Sequence, residues 1–276
     1  MSIDLIINVI EQGLIYSLVV MAVYITSRII KFDDLTVEGS FGLGGALSSQ
    51  VFLFSWNPWI SLPIALFGGA ICGLITGLLH TQLKINNLIS GLVVTTGIFS
   101  ISLAMAGSNV ALKEGNSILE NFSPVIILII IVLGIWIFLE ILLRSELGLL
   151  LRTVGCNPQM ITSLGRSIAK YKIFALMISN AMTALAGTLF VHWCGFFSIT
   201  GNVGTLIIGL AGLILGETIY SKFGWSLIIG SILYQALFAL TLEMQLSPVW
   251  NNLIKSGLIV LLIQLNPKQE HISIRR

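Results

Sequence analysis

Residues 124–143 read PVIILIIIVLGIWIFLEILL, an apolar run interrupted by one charge, Glu140. Such a run has few structural outlets. About 20 consecutive apolar residues match the ~30 Å hydrocarbon core of a bilayer. No water reaches that depth to satisfy backbone N–H and C=O groups, so the segment must satisfy its own as a helix. Comparable runs place spans at residues 5–27, 36–54, 58–82, 87–107, 122–143, 171–193, 203–220, 223–241 and 249–266. The expected fold is therefore all-α: a polytopic transmembrane helix bundle of about 8–10 spans, nine on this reading, making a single transmembrane domain over residues 1–276. Outer-membrane barrels alternate apolar and polar residues in segments of roughly 10 residues, and that pattern does not occur here. Composition agrees, since 9% of residues are charged and the mean hydropathy is +0.99, against about 25% charged in a soluble domain.

Charge sets the expected orientation. Segments 28–35, 83–86, 144–170, 221–222 and the C-terminal tail fall on one side and hold Arg28, Lys31, Lys84, Arg144, Arg152, Arg166, Lys170, Lys222, Lys268, Arg275 and Arg276. The opposite loops clearly hold only Lys113. Positive residues collect in cytoplasmic loops, so the central loop and C-terminus are expected inside a bacterial cytoplasmic membrane, with the N-terminus outside. A re-entrant second segment would change the span count by one without moving the central loop. The start, MSIDLIINVIEQG, carries Asp4 and Glu11 and no basic stretch, so a cleaved signal peptide is not expected.

Reactive groups are sparse. Cys72, Cys156 and Cys194 lack metal-ligand spacing, and His80, His192 and His271 are far apart, so neither a disulfide framework nor a metal site is expected. Nothing pairs a nucleophile with a base, so no catalytic residue is assigned.

Glycine is plentiful and patterned. Gly39, Gly42, Gly44 and Gly45 crowd the segment TVEGSFGLGGAL, which opens near Glu38 and Ser40. Gly69, Gly73 and Gly77 recur every four residues, and Gly209, Gly212 and Gly216 mark a third segment. Small residues at such spacing let membrane helices approach closely.

The central loop, residues 144–170, contains VGCNPQMITSLGR. Asn157 is a favoured N-cap and Pro158 suits the first helical position. Gly165 reads as a left-handed stop. Between them lie two turns with an apolar stripe of Met160, Ile161 and Leu164. Two turns are unstable alone in water, so the helix must dock, either on its own bundle and the headgroups or in a groove of a cytoplasmic partner.

The run LRTVGCNPQMITSLGRSIAKYKIFALMISNAMTALAGTL, residues 151–189, resembles the signature region of membrane permeases of ABC importers of the branched-chain amino acid and ribose type. The matching positions are Arg152, Gly155, Asn157, Pro158, Gly165, Lys170, Lys172, Ser179, Leu185, Ala186 and Gly187. KFDDLTVEGSFGLGGAL (31–47) and TLIIGLAGLILGETI (205–219) resemble a subgroup of tryptophan or tyrosine import permeases. The resemblance implies that residues 157–165 form a coupling helix seated in an ATP-binding subunit, with Arg152, Asn157, Pro158, Met160, Ile161, Leu164 and Gly165 as coupling residues. It further implies two ATPase copies, a second permease copy, an extracytoplasmic solute-binding protein and an aromatic or branched-chain amino acid as cargo. ATP and magnesium would sit on the ATPase, because no G-x-x-x-x-G-K-[ST] occurs in this chain. No cofactor on this chain and no nucleic-acid partner are expected.

Polar residues within spans are candidates for the translocation path: Glu38, Ser40, Thr95, Thr96, Asn109, Ser179 and Asn180. Each has a structural alternative. Glu38 could pair with Arg28 or Lys31 beside Asp33 and Asp34 at headgroup level, and Thr or Ser can bond its own preceding turn. Glu217 beside Lys222, Glu140 with Arg144, and Glu243 with Lys255 read as structural pairs, and Trp193 reads as an interfacial anchor. Two rival functions remain open. An ion-driven carrier calls for a mid-span carboxylate or inverted repeats, and a structural membrane subunit leaves the capped helix unexplained.

Overall fold

In the computed structural model the described residues are 3–112, 117–119, 123–219, 224–243 and positions 253, 256, 257 and 260. Ten α-helices are built from them: α1 (Ile3–Tyr24), α2 (Thr36–Leu53), α3 (Ser61–Thr81), α4 (Asn87–Ala106), α5 (Pro124–Arg144), α6 (Glu146–Cys156), α7 (Pro158–Ser163), α8 (Ile168–Cys194), α9 (Thr205–Ile219) and α10 (Trp225–Glu243). Two short strands, β1 (Asn109–Ala111) and β2 (Phe196–Ser198), pair antiparallel with Val110 opposite Phe197.

Helix α8 is the spine, and α1, α2 and α3 pack along it. The glycine ridge of α3 explains how closely. A Cβ at Gly69 or Gly73 would overlap the carbonyl oxygens of Asn180 and Leu176, so the two backbones run antiparallel in direct contact. On another side of α8, a Cβ at Gly44 would overlap the Ala184 carbonyl, and one at Gly187 the Phe41 carbonyl. This places α2 against α8 as well.

With α8 as a ruler, depth can be read from contacts. Asn180 stands about 18 Å beyond Ile168 along the helix. Its amide donates to Asp34 Oδ2 at 2.8 Å, and its carbonyl oxygen accepts from Ser40 Oγ at 2.6 Å. Helix α2 therefore begins inside the bundle, part-way along α8. The chain also dips inward after β2, in a 3₁₀ turn at Ile199–Asn202, until the Gly204 N–H donates to Glu38 Oε1 at 3.1 Å. Helix α9 starts there and runs out to Glu217, which pairs with Arg28. Two helices thus have their N-termini within the bundle, facing each other's neighbourhood.

This geometry does not confirm the count of nine spans. Six described helices are long and apolar enough to cross a membrane, and Trp225–Thr241 is a shorter apolar one. Segment 36–54 is not among the six. It is rich in glycine and serine because protein surrounds it: 14 of the 18 residues of α2 are buried. Of the expected segment 249–266 only positions 253, 256, 257 and 260 are described, and the C-terminal tail, Lys113, Lys222 and the pairing of Glu243 with Lys255 lie outside the described residues. The loop 144–170 is also more ordered than a loop, because α6 occupies its first half with Gly148, Leu151 and Val154 on the buried side.

At the strand end, His192 is a structural hub. Its Nε2 lies 3.0 Å from Ser61 Oγ, and its Nδ1 accepts the Ile118 N–H at 3.3 Å. Trp193 donates to Glu11 at 2.8 Å, an internal contact where an interfacial anchor was expected.

Candidate functional site

Two places gather the candidate residues. The first is the elbow formed by α6 and α7. Asn157 caps α7 by accepting the Met160 N–H at 3.3 Å, with Pro158 at the first position. Gly165 takes φ +69°, and the turn closes with Arg166 N–H to Ile161 O at 3.1 Å and Gly165 N–H to Thr162 O at 2.9 Å. That paired arrangement is the Schellman stop, which fixes the helix length. The apolar stripe divides. Ile161 is 0% exposed and seated in its own bundle, whereas Met160 and Leu164 are 53% and 57% exposed. The expectation that all three meet a partner is therefore corrected for Ile161, which anchors α7 to this chain. Arg152 is exposed on α6.

The elbow is tied to the bundle. A Cβ at Gly155 would overlap the carbonyl oxygen of Ile29, so α6 rests directly on the π-helical turn Ile25–Ile29 that ends α1. Within that turn, Arg28 grips Glu217 at the end of α9 with two bonds of 2.8 and 2.7 Å. The backbone contact at Gly155 and the Arg28–Glu217 ion pair thus connect α6 to the ends of α1 and α9. Glu140 and Arg144 pair along α5 as expected.

The second place is mid-bundle. Asp34 is 3% exposed and accepts the Thr36 N–H at 2.9 Å and the Asn180 amide. The Thr36 and Thr76 hydroxyls meet at 2.8 Å, and Ser179 donates to Ala22 O at 3.0 Å. Ser40, Ser179 and Asn180 are thereby held in packed core, where they brace α1, α2 and α8 and leave no free face for a solute. Beside this network, a cavity of about 70 Å³ is lined by Glu38, Gly39 and Gly42 of α2, Thr95 and Ser102 of α4, and Asn202.

Glu38 needs the clearest correction. It does not pair with Arg28 or Lys31 at headgroup level; it sits in the first turn of α2, inside the bundle, and accepts the Gly204 N–H at the start of α9. A carboxylate is favoured there because helix N-termini present unpaired N–H groups and a partial positive charge. Thr95 lines the cavity and donates to Leu35 O at 2.8 Å. Thr96 points outward, bonded to Val93 O, and Asn109 is the exposed first residue of β1. Asp34, Ser102 and Asn202 were not singled out from sequence. The paired acids of KFDDL offered a signal for Asp34; the second serine of SISLAMAG and an asparagine in ITGN offered none.

A model of the family described as "Branched-chain amino acid transport system / permease component" matches residues 5–263. The chain belongs to this permease family. Among its curated relatives, the permease is 37% identical over 248 residues to a tyrosine transport system permease protein of Clostridioides difficile, covering 87% of this chain and 84% of that one. It is 30% identical over 276 residues to the uncharacterized protein RP368 of Rickettsia prowazekii, covering 95% and 97%. Among solved structures, PsaBC from Streptococcus pneumoniae in complex with Fab superposes with a TM-score of 0.56 at 12% identity, over 99% of this permease and 94% of that chain. That likeness concerns the fold alone. As a multi-pass permease, this chain is a component of an ABC importer.

Proposed function

We propose that this permease carries an amino acid, aromatic by preference, through the cytoplasmic membrane, driven by ATP hydrolysis on a separate subunit. The observation that supports the coupling is α7. A two-turn helix capped at both ends, anchored by Ile161 and presenting Met160 and Leu164, is a rigid knob with an unused apolar face. Two ATP-binding subunits would each seat one such knob, on two permease copies, with Arg152 beside the contact. Force then enters at α7 and passes through Gly155 to the end of α1, and from Arg28 to α9. Packed elements with discrete arrangements transmit such shifts. The α7 end faces the cytoplasm on this reading, and a solute-binding protein delivers cargo at the strand end. The relative named for tyrosine transport supports the aromatic preference.

An ion-driven carrier also accommodates mid-bundle carboxylates and helices that start within the membrane, and Asp34 and Glu38 meet that description. Family membership weighs against it, and a carrier leaves the exposed face of α7 without a task.

The test is Leu164→Asp, with Pro158→Asp as its companion. Both should leave membrane insertion normal while the ATPase no longer co-purifies and ATP-driven uptake of L-tyrosine is lost. Uptake at the wild-type rate in either variant would sink the coupling role.

A further inference from the structure

Helix α4 carries five hydroxyl residues, and four of them are satisfied. Ser90, Thr96 and Ser100 bond carbonyls of their own helix, and Thr95 bonds Leu35 O. Ser102 is the exception: it is 1% exposed, and its Oγ has no partner among the described residues. A serine in a membrane helix usually bonds the preceding turn, and buried polar atoms are nearly always paired. Ser102 lines the mid-bundle cavity.

A carboxylate lines it as well. Asn202 donates its amide to Ile199 O at 3.2 Å and turns the same nitrogen toward Gly42. Glu38 is partly exposed to the cavity and has no cationic side chain in ion-pair range, since the ion pairs among the described residues are Arg28–Glu217 and Arg144–Glu140. A carboxylate and an orphan hydroxyl at one cavity call for a donor with positive charge. The cavity, about 70 Å³, exceeds the ~10–15 Å³ that one water needs, so an ammonium group fits. At its rim stand Phe99 and Val203, 45% and 58% exposed, an apolar ledge for the remainder of a solute.

From this geometry we infer that the cavity is an ammonium subsite on the path. Glu38 and Ser102 receive the α-amino group of an amino acid while its side chain lies against Phe99 and Val203. Gly39 and Gly42 let α4 and Asn202 close in on α2 around the cavity, because a Cβ at Gly39 would lie 3.0 Å from Thr95 Cα and one at Gly42 would strike the Asn202 amide. The inference rests on the amino-acid reading above, and it selects a zwitterion over a neutral sugar.

The test uses the full-length permease in lipid nanodiscs, assembled with its ATPase. Cys156 is exposed and Cys194 half-buried, so both are first changed to serine, and Ser102→Cys is then introduced. Labelling by 2-aminoethyl methanethiosulfonate should outpace that by the 2-sulfonatoethyl reagent about tenfold or more, as a local negative potential dictates. Glu38→Gln should abolish the preference. L-tryptophan should protect the thiol, and indole-3-propionate, which lacks the amino group, should not. Equal rates with Glu38 intact, equal protection by both indoles, or no labelling by either reagent would each overturn the subsite. Val203→Cys, at the exposed rim, repeats the measurement if Ser102→Cys folds poorly. Failure to bind an ATPase would instead count against the coupling role, because the labelling ratio does not depend on ATP.

Discussion

Helices α2 and α3 are both glycine-rich, yet they use glycine for different ends. In α3, Gly69, Gly73 and Gly77 fall every four residues on one face and all three meet α8, while the adjacent Gly68 faces Leu47 of α2. In α2 they point in several directions: Gly39 toward Thr95, Gly42 toward Asn202, Gly44 toward Ala184, and Gly45 toward Val191 and Phe197. One pattern is a seam between two helices. The other marks a helix buried on every side, with irregular backbone approaching it. A periodic ridge therefore reports packing, and an aperiodic cluster reports an element sunk inside protein.

The sharpest way to break this contrast is to fill the seam. Gly73→Leu puts a side chain where the Leu176 carbonyl already lies, and both backbones belong to long helices that cannot yield locally. Overpacking a tight site costs about 1–3 kcal/mol or more, so folded protein recovered in mild detergent should fall to background. Size-exclusion chromatography checks this, and a normal monodisperse peak would show that α3 can separate from α8 without harm.

A smaller effect is expected at Gly42→Ala. The clash there is with the end of the Asn202 side chain, which can swing away. The cost should be about 1 kcal/mol, at the low end for overpacking, and thermal denaturation should shift by only a few degrees. Uptake should fall further than stability does, since Asn202 is displaced from the cavity. Proportional losses of both would make Gly42 another packing glycine, like those of α3.

These two helices also show what could be read from sequence. The ridge of α3 follows from spacing alone, because small residues four apart share a face whatever surrounds them. The depth of α2 does not follow, since hydropathy measures composition and its start inside the bundle depends on Asp34 meeting Asn180, 146 residues apart. For the same reason Glu38 reads as a headgroup residue until α9 is seen to begin beside it. The caps of α7 are local, so Asn157, Pro158 and Gly165 occupy the positions their chemistry dictates. The fate of its stripe is not local. Met160 and Leu164 share a face, while Ile161 is about 100° around the helix in a 3.6-residue turn, and only the surrounding bundle decides which face turns inward.

Weaker still is the expected effect of breaking Arg28–Glu217. Both side chains are about a third exposed, at 36% and 32%, and pairs so placed contribute about 0–1 kcal/mol. Glu217→Arg should leave the fold intact yet lower ATP-driven uptake several-fold, and adding Arg28→Glu should recover most of it. Loss without recovery in the double variant would mean that the pair is not the link between the elbow and α9.

The smallest effect is expected at Gly97→Ala, and it bears on the same contrast. Gly97 lies on α4, and a Cβ there meets nothing within 4 Å. Its neighbours Val93, Phe99 and Ile101 are exposed. A glycine with open space on all sides serves neither a seam nor a buried helix, and alanine favours a helix by up to about 1 kcal/mol. Stability and uptake should therefore stay the same or rise slightly when the variant is assayed beside wild type. A clear loss of the assembled importer, with the monomer unharmed, would show that Gly97 is a seam glycine after all. Its partner would then be another chain, and the exposed face of α4 would be where the second copy packs.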